Sequence, residues 1–336
     1  MSLVSIHQQH VGPLNDDDYC SGRLGLLVVG NRCRLLDGRR TPGTIEAMDL
    51  RTAMFTFRIA AYEDEGKCWE LPAESVTRFQ FHRDSVEAPQ ETVRELRRRI
   101  KLFERPLNVS ADSSIREKTD QALRRLTEEA KTWLRDSKAF LNSGGISNIM
   151  RSENLLTSDL TNYMGERNLL MLEKETAKSI VLNPYSGEWI KGMWIMLGVL
   201  GIREYRGTVP RTEEIFEGPG REELRKEYIL NRLGFVRAAF ELSGIDEVLL
   251  YRGMATESKW QIGRPVSMTS WTFSREVAES FADLGKRSRF INSYIIKRTF
   301  PVSKLFMTFI ETSEMNEQYH EAEAMVLTSD EDACLW

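Results

Sequence analysis

The spacing of hydrophobic residues changes twice along this 336-residue chain, and those two changes restrict its fold more than any other feature. Over residues 22–82, β-rich runs alternate with turn signals. The runs are Leu24–Val29, Arg32–Leu36, Thr44–Asp49, Met54–Ala60 and Lys67–Leu71, and the turns include Asp37-Gly38, Thr41-Pro42-Gly43 and Asp64-Glu65-Gly66. Such closely spaced short strands suggest a small barrel. After Ala88-Pro89 a helical spacing takes over. Glu91–Glu104 has no helix breaker, and Ser114–Leu141 carries Leu123, Leu126, Ala130, Trp133 and Leu134 at intervals of three to four before Asn142-Ser143-Gly144-Gly145 stops it. Helices are predicted over Asp159–Leu182, Glu188–Leu200 and Glu222–Leu242. Strand character then returns at Glu247–Tyr251, Ser293–Thr299, Leu305–Ile310 and Ala324–Thr328, with one helix over Ser274–Leu284. Helices first and strands afterwards imply an α+β domain. The expected organisation is a small barrel over 1–88, a helical linker over 89–145 and an α+β domain over 146–336.

The barrel segment looks similar to SH3-like or Tudor-like barrels, which bind peptides or nucleic acids; a structural or regulatory appendage is the other reading. A net charge of −4 argues against the whole chain being an electrostatic nucleic-acid binder. Arg94, Arg97, Arg98, Arg99 and Lys101 still form a local basic cluster, read either as a solvated helix face or as a surface for nucleic acid or an acidic partner. Cys20, Cys33, Cys68 and Cys334 share no metal-type spacing, and only four histidines are present, so no metal site is expected. The most apolar run, Ile190–Ile202, is interrupted by Lys191 and is shorter than the roughly 20 residues a membrane span needs. Met1–His10 lacks a basic region followed by an apolar run, so no secretory signal is expected either. These features together predict a cytoplasmic protein, or one delivered into a target cytoplasm, with no membrane partner.

Three segments of the last third carry chemistry. In Val248-Leu249-Leu250-Tyr251-Arg252-Gly253 an apolar strand delivers at its end an arginine, whose planar fork of donors suits phosphate or carboxylate oxygens. Gly253 leaves room for a close backbone approach by a ligand. In Ser270-Trp271-Thr272-Phe273-Ser274 the two hydroxyls of Ser270 and Thr272 share one strand face, and Ser274 is a helix N-cap. Val277, Ala278 and Phe281 recur at helical spacing and read as core. Glu321-Ala322-Glu323 places two carboxylates two apart, on one face if extended, where mutual repulsion and burial would raise one of them. Alone, the arginine reads as a surface residue and the glutamate pair as a solvated strand end.

Taken in order, these segments resemble the arginine–serine–glutamate class of mono-ADP-ribosyltransferases, which includes bacterial toxins, phage enzymes and eukaryotic ectoenzymes. The similarity covers about residues 150–330. Thr272 stands where the family more often has serine, and Trp271 where it more often has a smaller residue. The resemblance implies a split β core with a helical N-terminal part and NAD⁺ as co-substrate without a metal. It implies that Arg252 holds the NAD⁺ phosphates and that Gly253 offers its backbone to the nicotinamide carboxamide. Ser270 would orient the ribose and Glu323, and Thr272 would support that network. Glu323 would bind the ribose 2′-hydroxyl, Glu321 would act on the acceptor nucleophile, and Asn316 and Tyr319 would lie on an acceptor loop. The implied activity is ADP-ribose transfer to a macromolecule, either protein arginine, which Glu321 favours, or RNA or DNA. The implied setting is a bacterial or phage toxin of a toxin–antitoxin or anti-phage system, with an antitoxin or inhibitor protein as partner. An NAD glycohydrolase and a non-catalytic NAD- or partner-binding module are the alternatives.

Overall fold

Alternating aromatics build the first of two separate compact units. In the computed structural model, which describes residues 18–36, 40–60, 65–137, 140, 146, 155–182, 187–256, 268–287, 292–312, 315 and 321–328, the chain divides into Met1–Leu102 and Phe103–Trp336. The first unit contains strands β1 (Tyr19–Ser21), β2 (Arg32–Leu35), β3 (Pro42–Asp49), β4 (Met54–Ile59), β5 (Cys68–Pro72) and β6 (Phe79–His82). Phe55, Phe57 and Ile59 turn inward at every second position of β4. Phe79 meets Phe55 and Phe57 edge to face, with ring centroids 5.6 and 5.0 Å apart.

The strands pair antiparallel in the order β1-β6-β2-β3-β4-β5. Among the described residues β1 and β5 remain the two edges, so this is an open sheet and not the closed barrel expected. The expected strand Leu24–Val29 is a 3₁₀ turn over Leu24–Leu26. Leu26 and Leu27 are buried there, and Asn31 Nδ2 donates to the carbonyls of Leu26 and Val86 at 2.9 and 2.7 Å. A buried amide side chain thus satisfies the Leu26 carbonyl, which a strand would have paired. Helix α1 (Gln90–Phe103) follows, and its cluster is partly self-neutralised: Glu95 accepts from both Arg98 and Arg99.

The second unit mixes helices with an antiparallel sheet. Its helices are α2 (Ser113–Asp136), α3 (Leu155–Glu166), α4 (Leu170–Leu182), α5 (Gly187–Val199), α6 (Glu222–Leu242) and α7 (Arg275–Arg287). Strand β7 (Pro106–Val109) pairs antiparallel with β8 (Tyr205–Thr208). Where a helical linker was expected over 89–145, α1 falls in the first unit up to Leu102, and α2 packs along α6 in the second. Asp112 caps α2 by accepting from the Ile115 amide at 2.9 Å, and its Leu123, Leu126, Ala130 and Leu134 form the buried stripe. Helix α6 is buried on most of its circumference, and Gly234 lets it approach α2: a Cβ there would sit 3.2 Å from Leu126. The single helix expected over Asp159–Leu182 is two, because Asn168 adopts a left-handed conformation (φ 57°) between α3 and α4.

The five-stranded sheet runs β11-β9-β10-β13-β12, all antiparallel, with β9 (Glu247–Thr256), β10 (Met268–Thr272), β11 (Asn292–Pro301), β12 (Leu305–Thr308) and β13 (Glu323–Leu327). Leu250, Trp271, Phe300, Phe306 and Val326 are buried along it. No helix of the described residues is long and apolar enough to cross a membrane.

Candidate active site

Strand β10 divides its side chains between packing and chemistry. Trp271 is 2% exposed, meets Phe300 edge to face at 4.8 Å and donates its indole N–H to Thr269 Oγ1 at 2.9 Å. It anchors the strand, so Ser270, the exposed residue of the five, is presented at a fixed place. Thr272 ends the strand. Its hydroxyl accepts from the Ser274 amide at 3.0 Å and donates to the Glu321 carbonyl at 2.5 Å. Ser274 then caps α7 by accepting from the Val277 amide at 3.2 Å.

The Glu321-Ala322-Glu323 segment is held by its backbone. The Phe273 amide donates to the Ala322 carbonyl at 3.0 Å, and the Phe309 amide to the Glu323 carbonyl at 2.9 Å. With the Thr272 bond, all three consecutive carbonyls are engaged. Phe273 and Phe309 also meet edge to face at 5.5 Å. Ala322 has φ 46°, a left-handed conformation costly for a residue with a Cβ. The segment is therefore not the extended pair the sequence suggested. A kink at Ala322 precedes β13, and both carboxylates line one cleft.

Arg252 lies within the ten-residue β9, not at a strand end, because β9 runs on to Thr256 in register with β11. Its Nη1 donates to the Ser270 carbonyl at 2.8 Å. Ser270 Oγ donates to Glu323 Oε1 at 2.5 Å. Arg252, Ser270, Thr272, Glu321 and Glu323 all line the cleft, which has a volume of about 180 Å³. That is below the roughly 300–1,000 Å³ of pockets that engulf whole ligands, so an extended ligand would lie partly outside it. A larger cavity of about 610 Å³ sits in the first unit, over Val76, Val93 and Ile100; Arg23 on its rim is paired with Glu87.

Burial raises Glu323 to about 7, and the nearby Glu321 adds to the rise; the Ser270 hydroxyl and the Arg252 guanidinium oppose it. Burial also raises Glu321 and lowers Arg252. A carboxyl that holds its proton up to neutrality in a cleft, bonded to a fixed hydroxyl, is poised for proton exchange or for charge stabilisation once ionised.

Gly253 also lines the cleft, and it has a packing reason to be glycine. A Cβ there would sit 1.9 Å from the Ala278 carbonyl of α7. Phe281 departs from the expected core role: it is 44% exposed and lines the cleft, while Ala278 and Ala282 make the buried side of α7. Sequence spacing alone does not separate these positions, since all lie within one helical arc. Tyr251, Trp271 and Val277 complete the lining, and none of the three carries a signal in the sequence that marks it as a site residue. Asn316 and Tyr319 lie outside the described residues. Among those described, no group of three or more potential ligands could hold a metal ion. No family model, curated protein or solved structure matches this chain.

Proposed function

We propose that this protein transfers ADP-ribose from NAD⁺ to a macromolecular acceptor through a mono-ADP-ribosyltransferase-type C-terminal unit. One observation carries the reading: Ser270 donates to a half-buried, proton-retaining Glu323 in a cleft that also holds Arg252 and Glu321. Cleaving the nicotinamide–ribose bond sends the bonding electrons out with neutral nicotinamide and leaves positive charge on the sugar. Ionised Glu323, oriented by Ser270, accepts from the ribose 2′-hydroxyl and stabilises that charge more than it stabilises the ground state. Arg252 supplies positive charge for the diphosphate. The acceptor's nitrogen or oxygen forms the new bond to the sugar carbon, and Glu321 takes the proton that the nucleophile loses. Arginine on a protein is the favoured acceptor class, with RNA or DNA the alternative.

The test incubates the purified full-length chain with NAD⁺ labelled in its ADP-ribose part and a bacterial lysate. Labelled protein or nucleic acid supports transfer and identifies the acceptor class. Nicotinamide release with no labelled macromolecule would reassign the activity to NAD⁺ hydrolysis. Neither label nor nicotinamide release would overturn the enzyme reading. Glu323→Gln, correctly folded by circular dichroism, should lower nicotinamide release by about 10²-fold or more, the scale expected for losing an electrostatic stabiliser.

A further inference from the structure

Linked to the cleft through the backbone of Glu323 is a cluster of buried charges that the proposed chemistry does not use. Arg232 of α6 is fully buried. Its Nε is 3.0 Å from Glu173 Oε2 on α4, and its Nη2 is 3.0 Å from Glu311 Oε1. The same Nη2 donates to Thr312 Oγ1 at 2.6 Å, and the Thr312 hydroxyl donates on to Glu173 Oε1 at 3.2 Å. Tyr228, one turn earlier on α6, donates to Glu173 Oε2 at 2.9 Å. Glu311 in turn accepts from both the amide and the hydroxyl of Thr308, the amide at 2.5 Å. Burial holds Glu173 above the usual carboxylate range despite the neighbouring Arg232.

An ion cluster of this kind contributes little net stability compared with apolar packing, because two carboxylates and a guanidinium all had to be desolvated. What it does provide is position. Both ends of the five-residue turn 308–312 are clamped: Thr308 through Glu311, and Thr312 through Arg232 and Glu173. Between them sits Phe309, whose amide holds the Glu323 carbonyl. Thr308 also faces Ala324 across the β12–β13 pair. The chain of contacts therefore runs from two helices, through one turn, to the backbone of Glu323.

We infer that Arg232, Glu173 and Thr312 are positioning residues that set the place of the Glu323 carboxylate by fixing the turn 308–312 against α4 and α6. This assignment rests on the transferase reading of the cleft. None of the three touches the cleft itself. They act through Phe309, and a displacement on the order of 1 Å at Glu323 is enough to cost about 10²-fold in rate.

The test uses the full-length chain carrying Thr312→Val, which keeps the side chain's shape and removes only the hydroxyl that bridges Arg232 and Glu173. Arg232→Lys is the second variant, since it keeps a charge but cannot fork between two carboxylates. Two readouts are taken on protein shown to be folded: kcat and KM for nicotinamide release from NAD⁺, and the titration of Glu323 followed by its ¹³C carboxyl resonance, assigned with Glu323→Gln. The expected result for Thr312→Val is a kcat lower by about 10-fold or more, KM within about 3-fold, and a Glu323 titration displaced from that of the wild type. If Arg232→Lys does not fold, Thr312→Val decides alone. A folded Thr312→Val with wild-type kcat or an unmoved Glu323 titration overturns the assignment, because a merely structural cluster would lower stability and leave both readouts in place. If the wild type releases no nicotinamide, the transferase reading fails by itself, and the titration still decides whether the cluster positions Glu323.

Discussion

Glu323 ties folding stability to pH, and the effect is large enough to measure. In the unfolded chain its carboxyl ionises near 4.5; in the folded chain it holds its proton to about 7. Between those values the native state binds a proton that the unfolded state has lost, so stability falls as pH rises. Below 4.5 both states are protonated and nothing is lost; above 7 both are ionised and the full cost is present. The gap corresponds to about 3 kcal/mol, a sizeable part of the 5–15 kcal/mol typical of a domain. Glu323→Gln removes the titration while keeping an oxygen to accept from Ser270. Any change in packing or hydrogen bonding that the substitution brings is the same at every pH. The measurement is urea unfolding of the full-length wild type and variant, followed by circular dichroism and tryptophan fluorescence, at pH 4.5 and pH 8.5. The stability of Glu323→Gln relative to wild type should rise by about 3 kcal/mol between the two. A difference that is the same at both pH values would refute the argument, since it would mean that Glu323 titrates alike in the folded and unfolded chains.

Other substitutions separate the roles within the cleft. Ser270→Ala removes a donor that favours the carboxylate, so the acid limb of the pH profile for nicotinamide release should move to higher pH; an unmoved limb would show that Ser270 does not hold Glu323. Glu321→Gln should abolish transfer to protein arginine and spare NAD⁺ hydrolysis, and equal loss of both would reassign Glu321 to donor handling. Gly253→Ala forces a Cβ against the Ala278 carbonyl and should destabilise the chain by roughly 1–3 kcal/mol in urea unfolding, with wild-type stability disproving the close approach of α7.

Much of the secondary structure was legible from local pattern. Helix α6 runs over the predicted Glu222–Leu242, and the end of α5 differs by a single residue, because apolar spacing and the glycines that follow act within a few residues. What local pattern could not supply was pairing. Strands β7 and β8 carry no strong alternation and exist because Pro106–Val109 meets Tyr205–Thr208 across about a hundred residues of chain. Strand β6 does alternate in the sequence, with Phe79 and Phe81 two apart and both buried, but it is only four residues long. The break between α3 and α4 turns on one asparagine, a residue that tolerates both helix and left-handed turn, so its choice is made by packing.

The candidate site divides in the same way. Residue order and type singled out Arg252, Ser270, Thr272, Glu321 and Glu323, because hydroxyls, a guanidinium and carboxylates are chemical properties that a sequence states outright. Their relation is tertiary. Sequence alternation places Glu321 and Glu323 on one face of an extended strand; the folded chain instead kinks at Ala322 and holds the three carbonyls of the segment with hydrogen bonds from the Thr272 hydroxyl and the Phe273 and Phe309 amides. Burial, which raises Glu323, depends on what packs around it and cannot be read from Glu-x-Glu. Phe281 and Ala278 look alike as apolar residues on one helix, yet one is exposed at the cleft and the other is sealed beneath Gly253. Nor did any motif mark Arg232, Glu173 and Glu311, which lie on two helices and a turn up to 138 positions apart and become one cluster only where folding removes all three from water.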